Sequence, residues 1–108
     1  MDSREKGKRG EREWADFLTR HGLAARRGQQ FNGLEGEDVV CDALPGLHFE
    51  VKRVERLNLY EAFAQARRDA DGGRVPILVH RRNRGEWLVV LRAEDALPVL
   101  LALGETKN

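Results

Sequence analysis

The stretch "GEDVVCDALPGLHFEVKR" sets Asp38, Glu50 and Lys52 into two short runs otherwise patterned like buried strands. Alternation with period two puts His48, Glu50 and Lys52 on one face of the second run and Leu47, Phe49 and Val51 on the other. The Pro45-Gly46 pair predicts a tight turn and an antiparallel hairpin, which sets Asp38 opposite the region of Glu50 to Lys52. Two carboxylates that close repel, and ionising both costs on the order of several pKa units unless a cation lies between them. Ligation by oxygen alone suits Mg²⁺, with Mn²⁺ able to substitute, and such an ion keeps waters and recruits phosphate oxygens. The chemistry this set suits is phosphoester hydrolysis, in which Lys52 positions the attacking water or neutralises charge in the transition state.

A Glu-x-Lys on a strand face is also a common solvated pair, and Asp38 can simply start its strand. The helical segment upstream favours the first reading. At about 100° per residue, its apolar face centres among Trp14, Ala15, Phe17 and Leu18, with Glu11 roughly 40° away and Glu13 roughly 120°. A carboxylate leaning towards a buried face wants a partner, and the Asp38–Glu50 centre supplies one; the alternative is a helix-start Glu favoured by the macrodipole. Gln65, at the apolar edge of a later helix, either steadies Lys52 or a water or is an ordinary boundary residue. His48 and His80 have no paired nucleophile and read as structural, Cys41 as a small core residue, and Trp14 and Trp87 as core anchors.

The elements that must position these side chains follow from periodicity. A helix is expected from Arg4 to His21, stopped by Gly22, then a short strand in "LAARR" and a loop, "GQQFNGLEGE", leading to Asp38. After the hairpin, Asn58 and Glu61 resemble a capping box for a helix whose face carries Leu59, Ala62, Phe63, Ala66 and Ala70, ended by Gly72 and Gly73. "VPILVH" and "EWLVVL" read as two more strands around "RRNRG", and "AEDALPVLLAL" as a Pro-interrupted helical or irregular segment.

A chain of 108 residues, 41% hydrophobic and 34% charged, predicts one domain over residues 1–108, without room for a separate cofactor-binding unit. No apolar run approaches the roughly 20 residues of a membrane span, and a leader and a cysteine framework are both lacking, so a cytoplasmic setting is expected. The net charge of +1 conceals basic clusters separated by acidic ones, and 15 of the 19 basic residues are Arg, which suits phosphate contacts. Base-composition bias or a heat-adapted surface would give the same excess.

The run "KGKRGERE", then Asp38, then "EVK" resembles the PD-(D/E)XK nuclease superfamily and, within it, the archaeal-type Holliday junction resolvases. The resemblance spans most of the chain and assigns the first acidic residue to Glu11, the metal-binding aspartate to Asp38, and the Glu-x-Lys strand to Glu50 and Lys52. It implies a mixed α/β fold, with a central mixed β-sheet flanked by helices in a restriction-endonuclease-like core. It also implies a Mg²⁺-dependent homodimer making paired nicks in a four-way DNA junction, with no membrane and no small-molecule cofactor involved. The loop before Asp38 departs from the archaeal pattern, which carries a serine there; "GQQFNGLEGE" has no hydroxyl residue.

Lys6, Lys8, Arg9, Arg26, Arg27, Arg53 and Arg56 flank the site in sequence and are the expected phosphate contacts, and "RRNR" is either another contact or a solvated turn. Leu59, Tyr60, Phe63 and the "LPVLLAL" tail are candidates for a dimer interface, each with an ordinary core reading beside it. The rival readings are a nuclease acting on linear, nicked or flapped DNA, and a non-catalytic junction-binding module.

Overall fold

A computed structural model describes residues 3–28, 38–70 and 72–105. The loop expected to lead into Asp38 lies, from residue 29 to 37, outside the described residues. The described elements run α1 (Ser3–Arg20), β1 (Ala25–Arg27), β2 (Val39–Cys41), β3 (Leu47–Lys52), α2 (Leu59–Asp69), β4 (Val75–His80), β5 (Leu88–Val90) and α3 (Ala93–Gly104). The strands form one mixed sheet in the order β1-β2-β3-β4-β5, antiparallel except for the parallel β3–β4 pair. A parallel pair needs a crossover, and α2 supplies it. Helices therefore flank a mixed sheet, as expected from the sequence.

The two faces of β3 are covered by different helices. Phe49 packs its ring edge-on to Trp14 of α1, with centroids 5.5 Å apart, in a core that also holds Ala15, Leu18, Val39, Cys41, Val51, Ile77 and Val79. The opposite face meets Ala62 and Ala66 of α2, whose small side chains let helix and strand approach. Asn58 caps α2 by accepting from the Glu61 backbone N–H at 3.3 Å, and its amide donates to the Glu61 carboxylate at 2.9 Å. Because α2 lies on that face, His48 and Glu50 are both buried, whereas simple alternation would leave their side of the strand solvated.

At Gly10 α1 lies close against the end of β3: a Cβ there would lie 2.6 Å from Cβ of Arg53, whereas Gly7 faces open space. The two glycines should thus answer alanine oppositely. Gly10→Ala must push α1 off the end of β3 and is expected to cost about 1–2 kcal/mol net of helix propensity, while Gly7→Ala should gain roughly 0.5–1 kcal/mol. Thermal melts of the two variants check the pair; a stabilised Gly10→Ala would contradict this packing.

The final helix differs from expectation by running unbroken through Pro98. None of its residues is buried, and Leu97, Val99, Leu100, Leu101 and Leu103 are all exposed. Among the described residues no helix is long and apolar enough to cross a membrane.

Candidate functional site

Asp38 sits where β2 leaves β3. The described ladder between them is a single pair, Val39 with Phe49, and beyond it the Asp38 side chain takes over the pairing: Oδ2 accepts from the Val51 backbone N–H at 2.8 Å. A side chain substituting for a strand neighbour fixes the carboxylate while the chains diverge. With Val39 on the α1 side, alternation turns Asp38 to the side shared by His48, Glu50 and Lys52.

Glu50 is 4% exposed, and its Oε2 lies 3.7 Å from Nζ of Lys52. Lys52 in turn donates to Oε1 of Gln65 on α2 at 3.1 Å, so the ammonium is held between a carboxylate and a neutral acceptor. The crossover helix thus carries the side chain that orients the lysine.

Burial and the nearby Glu50 carboxylate push the Asp38 carboxyl up to about 7; the Glu11 charge adds to this, and the Val51 N–H and Lys52 oppose it. The folded chain therefore holds a proton on Asp38 that the unfolded chain has released above about pH 4. Folding binds more protons than unfolding between pH 4 and 7, so stability falls as pH rises through that window. A shift of about three pKa units sets a ceiling of roughly 4 kcal/mol on the effect. In EDTA, wild-type protein should lose stability to denaturant between pH 5 and 8. Asp38→Asn, whose amide oxygen still accepts from Val51, should lose much less; equal losses would contradict the assignment.

Glu11 reaches the site differently from Asp38 and Glu50. It is half-buried and accepts from Nε of Arg27 at 3.1 Å, close enough to Asp38 to raise its carboxyl but committed to an arginine. The three carboxylates do not close into one cluster at ligand spacing. Among the described residues, the group of three that does is His48, Glu50 and Asp69, whose ligand atoms all lie within 4.8 Å of one another. Glu13, which helical phase turned away from the apolar face, is half-buried and receives Arg53 Nε at 2.8 Å and Arg81 Nη1 at 3.5 Å.

Of the expected phosphate contacts, Arg27 and Arg53 are engaged with Glu11 and Glu13. Arg26 pairs with Asp42, Arg9 with Glu13 and Lys8 with Glu5, all with exposed basic side chains. Lys6 and Arg56 are exposed and make no ion pair among the described residues. Past the carboxyl ends of β3 and β4 opens a groove of about 730 Å³, lined by residues that include Glu55, His80, Arg82, Arg84 and Gly85. Its arginines come from the "RRNRG" turn, where Arg84 adopts a positive φ of 59°. Sequence alone leaves the "RRNR" arginines open between a further phosphate contact and a solvated turn, because they are remote from Glu50 along the chain; parallel pairing of Lys52 with His80 brings their turn to the same end of the sheet.

The model of a family described as "Phage putative PDDEXK endonuclease" matches residues 2–104 of the chain. No curated protein and no solved structure matches it.

Proposed function

The chain belongs to that PDDEXK endonuclease family, whose model covers 103 of its 108 residues, and from this premise we propose that Asp38, Glu50 and Lys52, supported by Glu11, form a metal-dependent centre for cleaving DNA. Nuclease chemistry and a DNA substrate come with the family. The observation that carries the site is the buried Glu50 lying beside Lys52 and close to Asp38, whose carboxyl is pushed up to about 7 by burial and the Glu50 charge.

That donor set fits a divalent cation. Asp38 keeps Oδ1 outside its bond to Val51, Glu50 adds a second carboxylate, and hard oxygen donors match Mg²⁺, with Mn²⁺ as substitute. Asp38 and Glu50 would hold the ion, and Glu11 would act on its water shell. When bound, it supplies charge that acidifies a water and steadies the phosphate oxygens. The ammonium of Lys52 has three donors. Gln65 takes one and Glu50 lies near a second, leaving the third for the attacking water or a phosphate oxygen. Gln65 is a positioning residue in this scheme, since it acts through Lys52. Lys6, Arg56 and the groove arginines Arg82 and Arg84 carry the DNA backbone past the centre.

The substrate proposed within that class is a four-way DNA junction, resolved by paired cuts from a homodimer. The resemblance to archaeal-type resolvases suggests it, and the apolar α3 surface supports the dimer. A 12-residue helix that buries nothing gains little from its own hydrogen bonds, and five exposed Leu and Val side chains exceed what a monomer usually leaves wet. A second copy meeting this face about a twofold axis would bring two centres to one junction.

Cleavage of a labelled four-way junction and of its separate duplex arms, each in Mg²⁺, tests the reading. The junction should be cut at least tenfold faster. Equal rates would remove junction selectivity and leave a nuclease for linear, nicked or flapped DNA. Junction binding with no cutting in Mg²⁺ or Mn²⁺ would instead identify a binding module.

A further inference from the structure

We propose that His48, Glu50 and Asp69 form a second divalent-cation site, one that takes a nitrogen-tolerant transition ion such as Zn²⁺ on the side of Glu50 remote from Lys52.

His48 is 2% exposed, and neither of its ring nitrogens has a hydrogen-bond partner among the described residues. A neutral imidazole carries one donor and one acceptor, and native interiors rarely leave either unmet. The ring is also held in an acidic setting: Nε2 lies 4.0 Å from Oε1 of Glu50, and Asp69 completes a trio of ligand atoms within 4.8 Å of one another. Ligands around a tetrahedral Zn²⁺ at about 2 Å are separated by about 3.3 Å, so a contraction of up to about 1.5 Å would bring the three to bonding distance.

Glu50 divides between the two environments, with Oε2 near Lys52 and Oε1 near His48. Its position in β3 makes this possible, because His48 and Lys52 are its neighbours at i−2 and i+2 on one strand face. Asp69 arrives from the last turn of α2, so strand and crossover helix each contribute to the ligand set. The imidazole distinguishes this site from the Asp38–Glu50 pair: oxygen-only ligation suits Mg²⁺, whereas a nitrogen donor favours Zn²⁺ and its neighbours. The two sites share Glu50 and otherwise use different residues, so this inference and the nuclease reading can fail separately.

The chain has three histidines, which makes the ring resonances of His48 easy to follow by NMR. Titrating Zn²⁺ into the metal-free protein should move the His48 ring signals within the first equivalent, before those of the exposed His21. By calorimetry, Asp69→Asn should weaken Zn²⁺ binding at least tenfold, and Asp38→Asn should leave it within threefold of wild type. A His48 ring unmoved by one equivalent of Zn²⁺ overturns the proposal, as does unchanged binding by Asp69→Asn. A tenfold loss in Asp38→Asn would move the ion to the nuclease centre and overturn it equally. The wild-type titration decides the matter if Asp69→Asn does not fold.

Discussion

Glu50→Gln should lower the rate of DNA cleavage on the order of 10³-fold or more while DNA binding stays within a few-fold of wild type. The substitution keeps the shape of the side chain and removes its charge. At 4% exposure no solvent can replace that charge, so on the proposed function a cation there would lose one of the residues that hold it. Such a loss corresponds to about 4 kcal/mol of transition-state stabilisation. Unfolding offers no alternative explanation, because Glu50 raises the Asp38 carboxyl by repulsion, and removing it relieves the metal-free site. A variant that melts no lower than wild type in EDTA, binds DNA and does not cut is the expected combination. Undiminished cutting would remove Glu50 from the centre.

Lys52→Met should slow cleavage about 10²- to 10³-fold, leaving metal binding intact or slightly tighter. Methionine keeps much of the stem that packs beside Gln65 but has no ammonium to offer water or phosphate. The same change takes a positive charge from beside Glu50, whose Oε2 lies 3.7 Å away, so a cation there is repelled less. Lower turnover with unweakened Mg²⁺ dependence would separate Lys52 from the ligands. Lys52→Arg should rescue little, since a planar fork does not replace a compact point charge between Glu50 and Gln65. Equal losses of turnover and metal affinity in Lys52→Met would instead give the lysine a purely structural role.

What the sequence made legible was local. The hairpin, and with it Asp38 set against Glu50 to Lys52, followed from alternation and one Pro-Gly turn. The capping box at Asn58 and Glu61 was equally a short-range pattern. The mixed sheet between helices came from the motif as a whole. The burial of Glu50 and His48 was hidden, because it requires α2 to lie over β3, which follows from the parallel pairing of β3 with β4. The sequence marks His48 as structural only because it shows no paired nucleophile. Its two unpartnered nitrogens become visible only once the covering helix is in place.

Side-chain partners across the fold were hidden too. Helical phase singled out Glu11 over Glu13, yet both are half-buried and both hold arginines, Glu11 through Arg27 and Glu13 through Arg53. No periodicity within α1 could encode arginines arriving from β1 and from the end of β3. The same blindness assigned Arg27 and Arg53 to phosphate by proximity in sequence and left Arg82 and Arg84 undecided between a contact and a solvated turn. In α3, Pro98 suggested an interruption that the helix does not show.

On the proposed function, DNA cutting requires a cation held by the Asp38–Glu50 carboxylate pair. The most direct measurement of this is nicking of supercoiled plasmid and of a four-way junction by wild type and Glu50→Gln, side by side in Mg²⁺ and in EDTA. Cutting by wild type in Mg²⁺ alone, and by Glu50→Gln in neither, is the predicted result. Cutting that survives EDTA, or that Glu50→Gln performs as well as wild type, would contradict it.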